Sequence, residues 1–230
     1  MKTLIVVPAY NEALNIEKTI KDIKEHTKFD YIIINDCSKD NTLDICKENG
    51  FEYLSLPVNY GLSSAIQLGM KYAKINDYDI VVQFDGDGQH KAKYLEKLVK
   101  EIENKSADIV IGSRFLTKKK PFTLRMLGSR LITIAIKLNT GRTIKDPTSG
   151  MRAYGKDIIK EFNNEQSLTP EPDTVSYMIK KGYKVKEIQV DMREREFGES
   201  YLKPIKSIKY MVNILFSIFF IRSAVKKGGK

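Results

Sequence analysis

Apolar, β-branched residues fall in short continuous runs along this chain, at residues 4–7, 31–34, 80–84 and 109–111. Unbroken rather than alternating hydrophobicity marks strands buried on both faces, as in a parallel sheet. Elsewhere the spacing changes to the helical period, in Leu14, Ile16, Ile20 and Ile23, in Leu43 and Cys46, in Ala65, Leu68 and Tyr72, and in Leu95, Leu98, Val99 and Ile102. Strands alternating with such helices predict a doubly wound α/β fold, with a mostly parallel central sheet flanked by helices. No internal repeat or low-complexity tract interrupts the pattern.

Ligands of such sheets sit outside the carboxyl ends of the strands, and the chemistry-bearing residues cluster there. Strand one runs into Pro8-Ala9-Tyr10-Asn11-Glu12, strand two into Asn35-Asp36-Cys37-Ser38-Lys39-Asp40, and the fourth into Asp85-Gly86-Asp87-Gly88-Gln89-His90. Two carboxylates this close, with glycines that permit a sharp turn, can hold Mg²⁺ or Mn²⁺; Mg²⁺ in particular usually takes one or two carboxylates plus substrate phosphates. An ordinary acidic turn would share this composition. An EF-hand loop places Glu96 at its last ligand position, but it needs glycine where His90 stands. No Gly-x-Gly-x-x-Gly follows strand one and no Gly-Lys-Ser/Thr loop is present, which removes the main support for dinucleotide and P-loop readings.

At 230 residues the chain fits one catalytic domain, residues 1–202, and a tail, residues 203–230. Cys37 and Cys46 are too few for a disulfide framework and have no partners at zinc spacing, so a reducing, intracellular setting is the default. The first apolar run is too short for a signal-peptide core and meets Pro8. A net charge of +10 resembles a nucleic-acid footprint, but the tail alone carries +7, leaving +3 on the other 202 residues. A local cationic segment beside a long apolar run points to an anionic membrane surface rather than to nucleic acid.

Within that tail, residues 210–221 are apolar except for Asn213 and Ser217. As a helix they would reach ~18 Å, against ~30 Å of hydrocarbon thickness. Extended back to Ile205, the segment gains Lys206 and Lys209, which with Asn213 and Ser217 form one narrow polar stripe. Such a helix suits the membrane interface, with Lys226, Lys227 and Lys230 at anionic headgroups. A helix buried against the domain, or an oligomer seam, would carry the same pattern. Residues 122–138 are a second candidate for membrane contact.

Taken together, Val7-Pro8-Ala9-Tyr10-Asn11-Glu12, Asn35-Asp36-Cys37-Ser38, Asn59-Tyr60-Gly61 with Ala65 and Gly69, Asp85-Gly86-Asp87-Gly88-Gln89-His90, Gly112-Ser113-Arg114 and Asp146-Pro147-Thr148-Ser149-Gly150 resemble the inverting glycosyltransferases of family 2, which have the GT-A fold. Over residues 4–202 they look most like the polyprenyl-phosphate group that contains dolichol-phosphate mannose synthase. The resemblance implies a UDP- or GDP-sugar donor, with Pro8, Tyr10 and Glu12 lining the nucleotide pocket and Asp36 contacting the base. It also implies that Asp85 and Asp87 bind Mg²⁺ or Mn²⁺ and the diphosphate, assisted by Gln89. Arg114 and Arg130 match positions that bind the lipid phosphate, and Arg195, rather than Arg193, would approach the diphosphate from the Arg-x-x-Gly-Glu-Ser element. One departure is Cys37, where the family usually has glycine. Asp146 and Glu171 lie near the acceptor side with open roles.

Each residue alone also has a structural reading: Pro8 and Asn11 as a strand end, Asp36 as a helix cap, Arg114 as a surface residue, and residues 193–196 as a self-paired loop. The expected activity is transfer of a hexose or N-acetylhexosamine to a polyprenyl, in particular undecaprenyl, phosphate at the cytoplasmic face of the cell membrane. Transfer to a saccharide hydroxyl, or a non-catalytic membrane scaffold, are the alternatives. A small membrane partner or a second copy of the chain could share the membrane surface.

Overall fold

The computed structural model describes residues 1–193 and 204–221. In these residues seven strands, β1 (Thr3–Ala9), β2 (Asp30–Asn35), β3 (Tyr53–Ser55), β4 (Ile80–Gln83), β5 (Ile109–Ser113), β6 (Arg152–Gly155) and β7 (Val185–Gln189), form one sheet in the order β3-β2-β1-β4-β6-β5-β7. All neighbours are parallel except β6, which runs antiparallel to β4 and β5. Strand β1 shows why the apolar runs are continuous: Leu4 and Val6 enter the core on one face of the sheet, Ile5 and Val7 the core on the other.

Helices α1 (Ile16–His26), α2 (Thr42–Glu48) and α4 (Leu95–Glu103) contribute to the Ile5 side. Helices α3 (Leu62–Ile75), α5 (Leu124–Thr140), α6 (Lys156–Asn164) and α7 (Pro172–Lys180) pack on the Leu4 side. The four apolar runs and four helical patterns read from the sequence are realised, except that Leu14 precedes α1 and is exposed. Strands β3, β6 and β7 carry too few apolar residues to announce themselves, and only their neighbours stabilise them.

The reversed strand matters for the site. Arg152, first residue of β6, pairs with Gln83 at the end of β4 and with Ile111 near the end of β5. Because β6 starts where its neighbours finish, the segment before it is delivered to the carboxyl edge of the sheet.

Helix α8 (Pro204–Phe216) continues as a π-helical turn, Ser217–Ile221. Its inner side is docked. Ile214 and Ile218 are buried in the core, the Tyr210 hydroxyl donates to Glu171, and Ser217 Oγ donates to Asp173 at 2.6 Å. Close approach to α5 depends on Gly128, where a β-carbon would overlap Met211. Its outer side keeps Val212, Phe216, Phe219 and Phe220 exposed, next to Lys209 and Asn213. The apolar cylinder is therefore divided between the core and solvent, and the inner end of the polar stripe, Ser217, bonds to α7. Among the described residues no helix is long and apolar enough to cross a membrane.

Candidate active site

The acidic turn leaves the end of β4 as expected. Asp85 accepts from Gln83 Nε2 at 3.4 Å, and its Oδ2 lies 3.2 Å from Nε2 of the buried His90. Burial pushes the Asp85 carboxyl up, but His90, Gln83 and the nearby Arg152 together bring it below the ordinary value, so the group is anionic. Asp87 Oδ1 accepts the Gln89 amide at 3.1 Å, which closes the turn around Gly88 at φ 72°. Both aspartates remain partly exposed. No group of three or more metal-ligating side chains surrounds them among the described residues. Two carboxylates without a full protein cage fit Mg²⁺ or Mn²⁺ shared with a diphosphate.

On one side of this turn the loops after β1 and β2 meet. Asn11 Oδ1 accepts the Lys39 amide at 2.8 Å and Ser38 Oγ accepts the Asn11 amide at 3.0 Å, which brings Pro8, Tyr10 and Glu12 beside Asp36. Asp36 does not cap α2, which starts beyond it at Thr42. Instead its two carboxylate oxygens accept the amides of Tyr60 and Gly61, at 2.8 and 2.7 Å, and so shape the entrance to α3. Cys37 sits at φ 57°, in the left-handed region, which explains why glycine is usual at this position.

The other side is basic. Arg114 leaves the end of β5 and is held by the fully buried Asp146, from Nε at 2.7 Å, Nη2 at 2.8 Å and its own amide at 3.0 Å. Four residues after Asp146, Gly150 lies so close to Asp85 that a β-carbon would overlap its carboxylate. The segment from Asp146 to Gly150 therefore joins the basic side to the acidic turn, across at most about 14 Å of chain. Buried Arg152 stiffens it by donating to the carbonyls of Pro147, Ser149 and Pro170 at 2.7–2.8 Å. Arg130, on α5, donates from Nη2 to the Lys120 carbonyl at 2.7 Å and lies over Phe122. Glu171, before α7, has its carboxyl pushed up chiefly by burial and is bonded to Tyr210, so it braces α8.

Arg195 lies outside the described residues. Arg193 is described: its Nη1 and Nη2 bind the Asp22 carboxylate at 3.0 and 3.2 Å, and Nη1 also binds the His90 carbonyl at 3.1 Å, while the self-pairing expected of residues 193–196 falls on Glu194 and Glu196, outside the described residues. Asp22 also accepts the Ala92 amide. The exit of β7 is thus tied to the far end of the acidic turn. Sequence reasoning passed over Asp22, Lys120 and Arg152, because a helix aspartate, one of three consecutive lysines and an arginine in a short strand carry no local signal.

The chain is 31% identical over 184 residues to the UDP-N-acetylglucosamine–dolichyl-phosphate N-acetylglucosaminyltransferase of Methanococcus voltae, covering 70% of this chain and 72% of that protein. It is 31% identical over 227 residues to the dolichol-phosphate mannosyltransferase of Pyrococcus furiosus, covering 93% of this chain and 63% of that protein. With the undecaprenyl-phosphate mannosyltransferase of Micrococcus luteus it shares 27% over 213 residues, 87% of each. The fold is that of Mycobacterium tuberculosis glucosyl-3-phosphoglycerate synthase solved with Mn²⁺, UDP and glucosyl-3-phosphoglycerate, at TM-score 0.71 and 18% identity over 97% of this chain and 80% of that one. The model of glycosyl transferase family 2 matches residues 4–162, strand β1 through helix α6, and the chain belongs to that family.

Proposed function

We propose that this protein transfers a sugar from a UDP- or GDP-sugar to a polyprenyl phosphate at the cytoplasmic face of a membrane, with inversion at the anomeric carbon. The observation that carries this reading is the link from Arg114 through Asp146 to Gly150 and Asp85, which ties an arginine that can face a phosphate to the acidic turn across at most about 14 Å of chain. The names of the relatives support the same class of acceptor.

A phosphate monoester carries between one and two negative charges at neutral pH, its second pKa being about 6. It is already a nucleophile, so no side chain has to remove a proton from it. Cations must instead hold it against a donor of the same sign, a role for Arg114 and Arg130. Asp85 and Asp87 would hold Mg²⁺ or Mn²⁺, which when bound offsets charge on the departing diphosphate. Pro8, Tyr10, Glu12 and Asp36 would form the nucleotide side and Gln89 would border the diphosphate, with Arg195, outside the described residues, as the further diphosphate contact that the family's Arg-x-x-Gly-Glu-Ser element implies.

The exposed faces of α5 and α8 suit a bilayer surface. Leu127, Leu131, Ile134 and Leu138 recur at helical spacing on α5, and Phe122 is 95% exposed. The tail's lysines would meet anionic headgroups.

The deciding experiment incubates the purified protein and Mn²⁺ or Mg²⁺ with a panel of labelled nucleotide sugars, offering undecaprenyl phosphate, dolichyl phosphate or saccharides. Label is expected in the lipid-phosphate fraction. Label entering only a saccharide overturns the reading.

A further inference from the structure

We propose that Lys120 is a third cation of the acceptor site, one that contacts the acceptor phosphate. This rests on the acceptor reading above and extends it to a residue with no motif of its own. Arg114 is matched by buried Asp146 through two guanidinium hydrogen bonds, so the pair brings little net positive charge to an incoming dianion. Arg130 spends Nη2 on the Lys120 carbonyl, while its Nη1 is buried without a hydrogen-bond partner.

Lys120 stands between them. Its Nζ donates to two neutral hydroxyls, Ser129 Oγ at 2.8 Å and Thr133 Oγ1 at 3.4 Å. It forms no ion pair with a carboxylate among the described residues. An ammonium has three donors, so one stays available. The ring of Phe115 is shared: the Arg114 guanidinium carbon lies 5.1 Å from its centroid and Lys120 Nζ 5.6 Å. Burial lowers the Lys120 pKa, with Asp146 and Glu187 opposing this and Arg114 and Arg130 adding to it, and a bound anion would relieve that cost.

Lys118, two residues earlier, shows how an ordinary surface lysine behaves in the same run. It pairs with Asp191 at 2.6 Å and its side chain is 65% exposed. Lys120 instead turns inward, beside Ser129 and therefore beside Arg130.

The test uses a soluble short-chain polyprenyl monophosphate, so that membrane docking does not enter, with inorganic phosphate as a competitor. Lys120→Gln is expected to raise the acceptor KM by about tenfold or more, the worth of one charge-assisted hydrogen bond. The phosphate inhibition constant should rise in parallel, while the donor KM moves less than about twofold. Lys120→Arg should restore most of the acceptor affinity, and Lys118→Gln should leave it unchanged. A wild-type acceptor KM in Lys120→Gln, or equal losses for donor and acceptor, overturns this proposal alone. Failure of the wild-type protein to use any lipid phosphate removes both this proposal and the function it rests on.

Discussion

At Gly150 the missing side chain is what lets Asp85 keep its place, because a β-carbon there would overlap the carboxylate. Gly150→Ala should therefore push Asp85 away from His90 and Asp87 and weaken Mn²⁺ binding by about 10–100-fold, the usual cost of disturbing the groups that orient a metal ligand. Titration calorimetry with Mn²⁺ and UDP would show it, and unaltered affinity would refute the role given to Asp85. Cys37 presents the opposite case, a side chain where none is wanted. A left-handed non-glycine residue costs roughly 1–2 kcal/mol, and glycine gives back about half of that in unfolded-state entropy. Cys37→Gly should stabilise the fold by up to about 1 kcal/mol, which for a domain of this size raises Tm by about 2–4 °C. A lower Tm would show that the Cys37 Sγ contact with the Pro57 carbonyl outweighs the strain.

Among the elements, α1 has a task its amphipathic pattern did not reveal. Its inner face, Ile16, Ile20 and Ile23, was legible from spacing, but Asp22 on the same helix ties it to Ala92 and Arg193. Burial raises the Asp22 carboxyl, yet the Arg193 and Ala92 hydrogen bonds carry it below the ordinary value. A depressed carboxylate contributes stability that is full above its unfolded pKa and is lost as pH falls through the folded one. Asp22→Asn should thus cost about 2 kcal/mol at neutral pH, as a charged hydrogen bond is lost, and much less in acid. Urea unfolding at several pH values would measure this, and a constant difference across the range would contradict it. Strand β6 was not legible for a related reason: its four residues are held by β4 and β5 on either side.

For the whole molecule, α5 and α8 pack together at Gly128 and Met211, and each leaves large apolar side chains exposed, a surface we propose meets the membrane. Replacing Leu131 and Phe216 together by serine should lower partition onto anionic vesicles at least about tenfold, since each buried apolar side chain is worth roughly 1.5–3 kcal/mol. Melting temperature should change little, because both side chains are exposed, and unchanged sedimentation would remove the membrane role of this surface. The sequence alone determined the α/β class, the positions of four buried strands and the loops that carry Asp36, Asp85, Asp87 and Arg114, because burial on both faces and turn chemistry leave local marks. Only the tertiary structure decided that Asp146 occupies Arg114, that Lys120 lies with Arg130, that Asp22 receives Arg193, and that α8 is half docked. Those partners are separated by 10 to 171 residues along the chain. Pairing across such separations is set by sheet order and by one reversed strand, and no local pattern of residues encodes it.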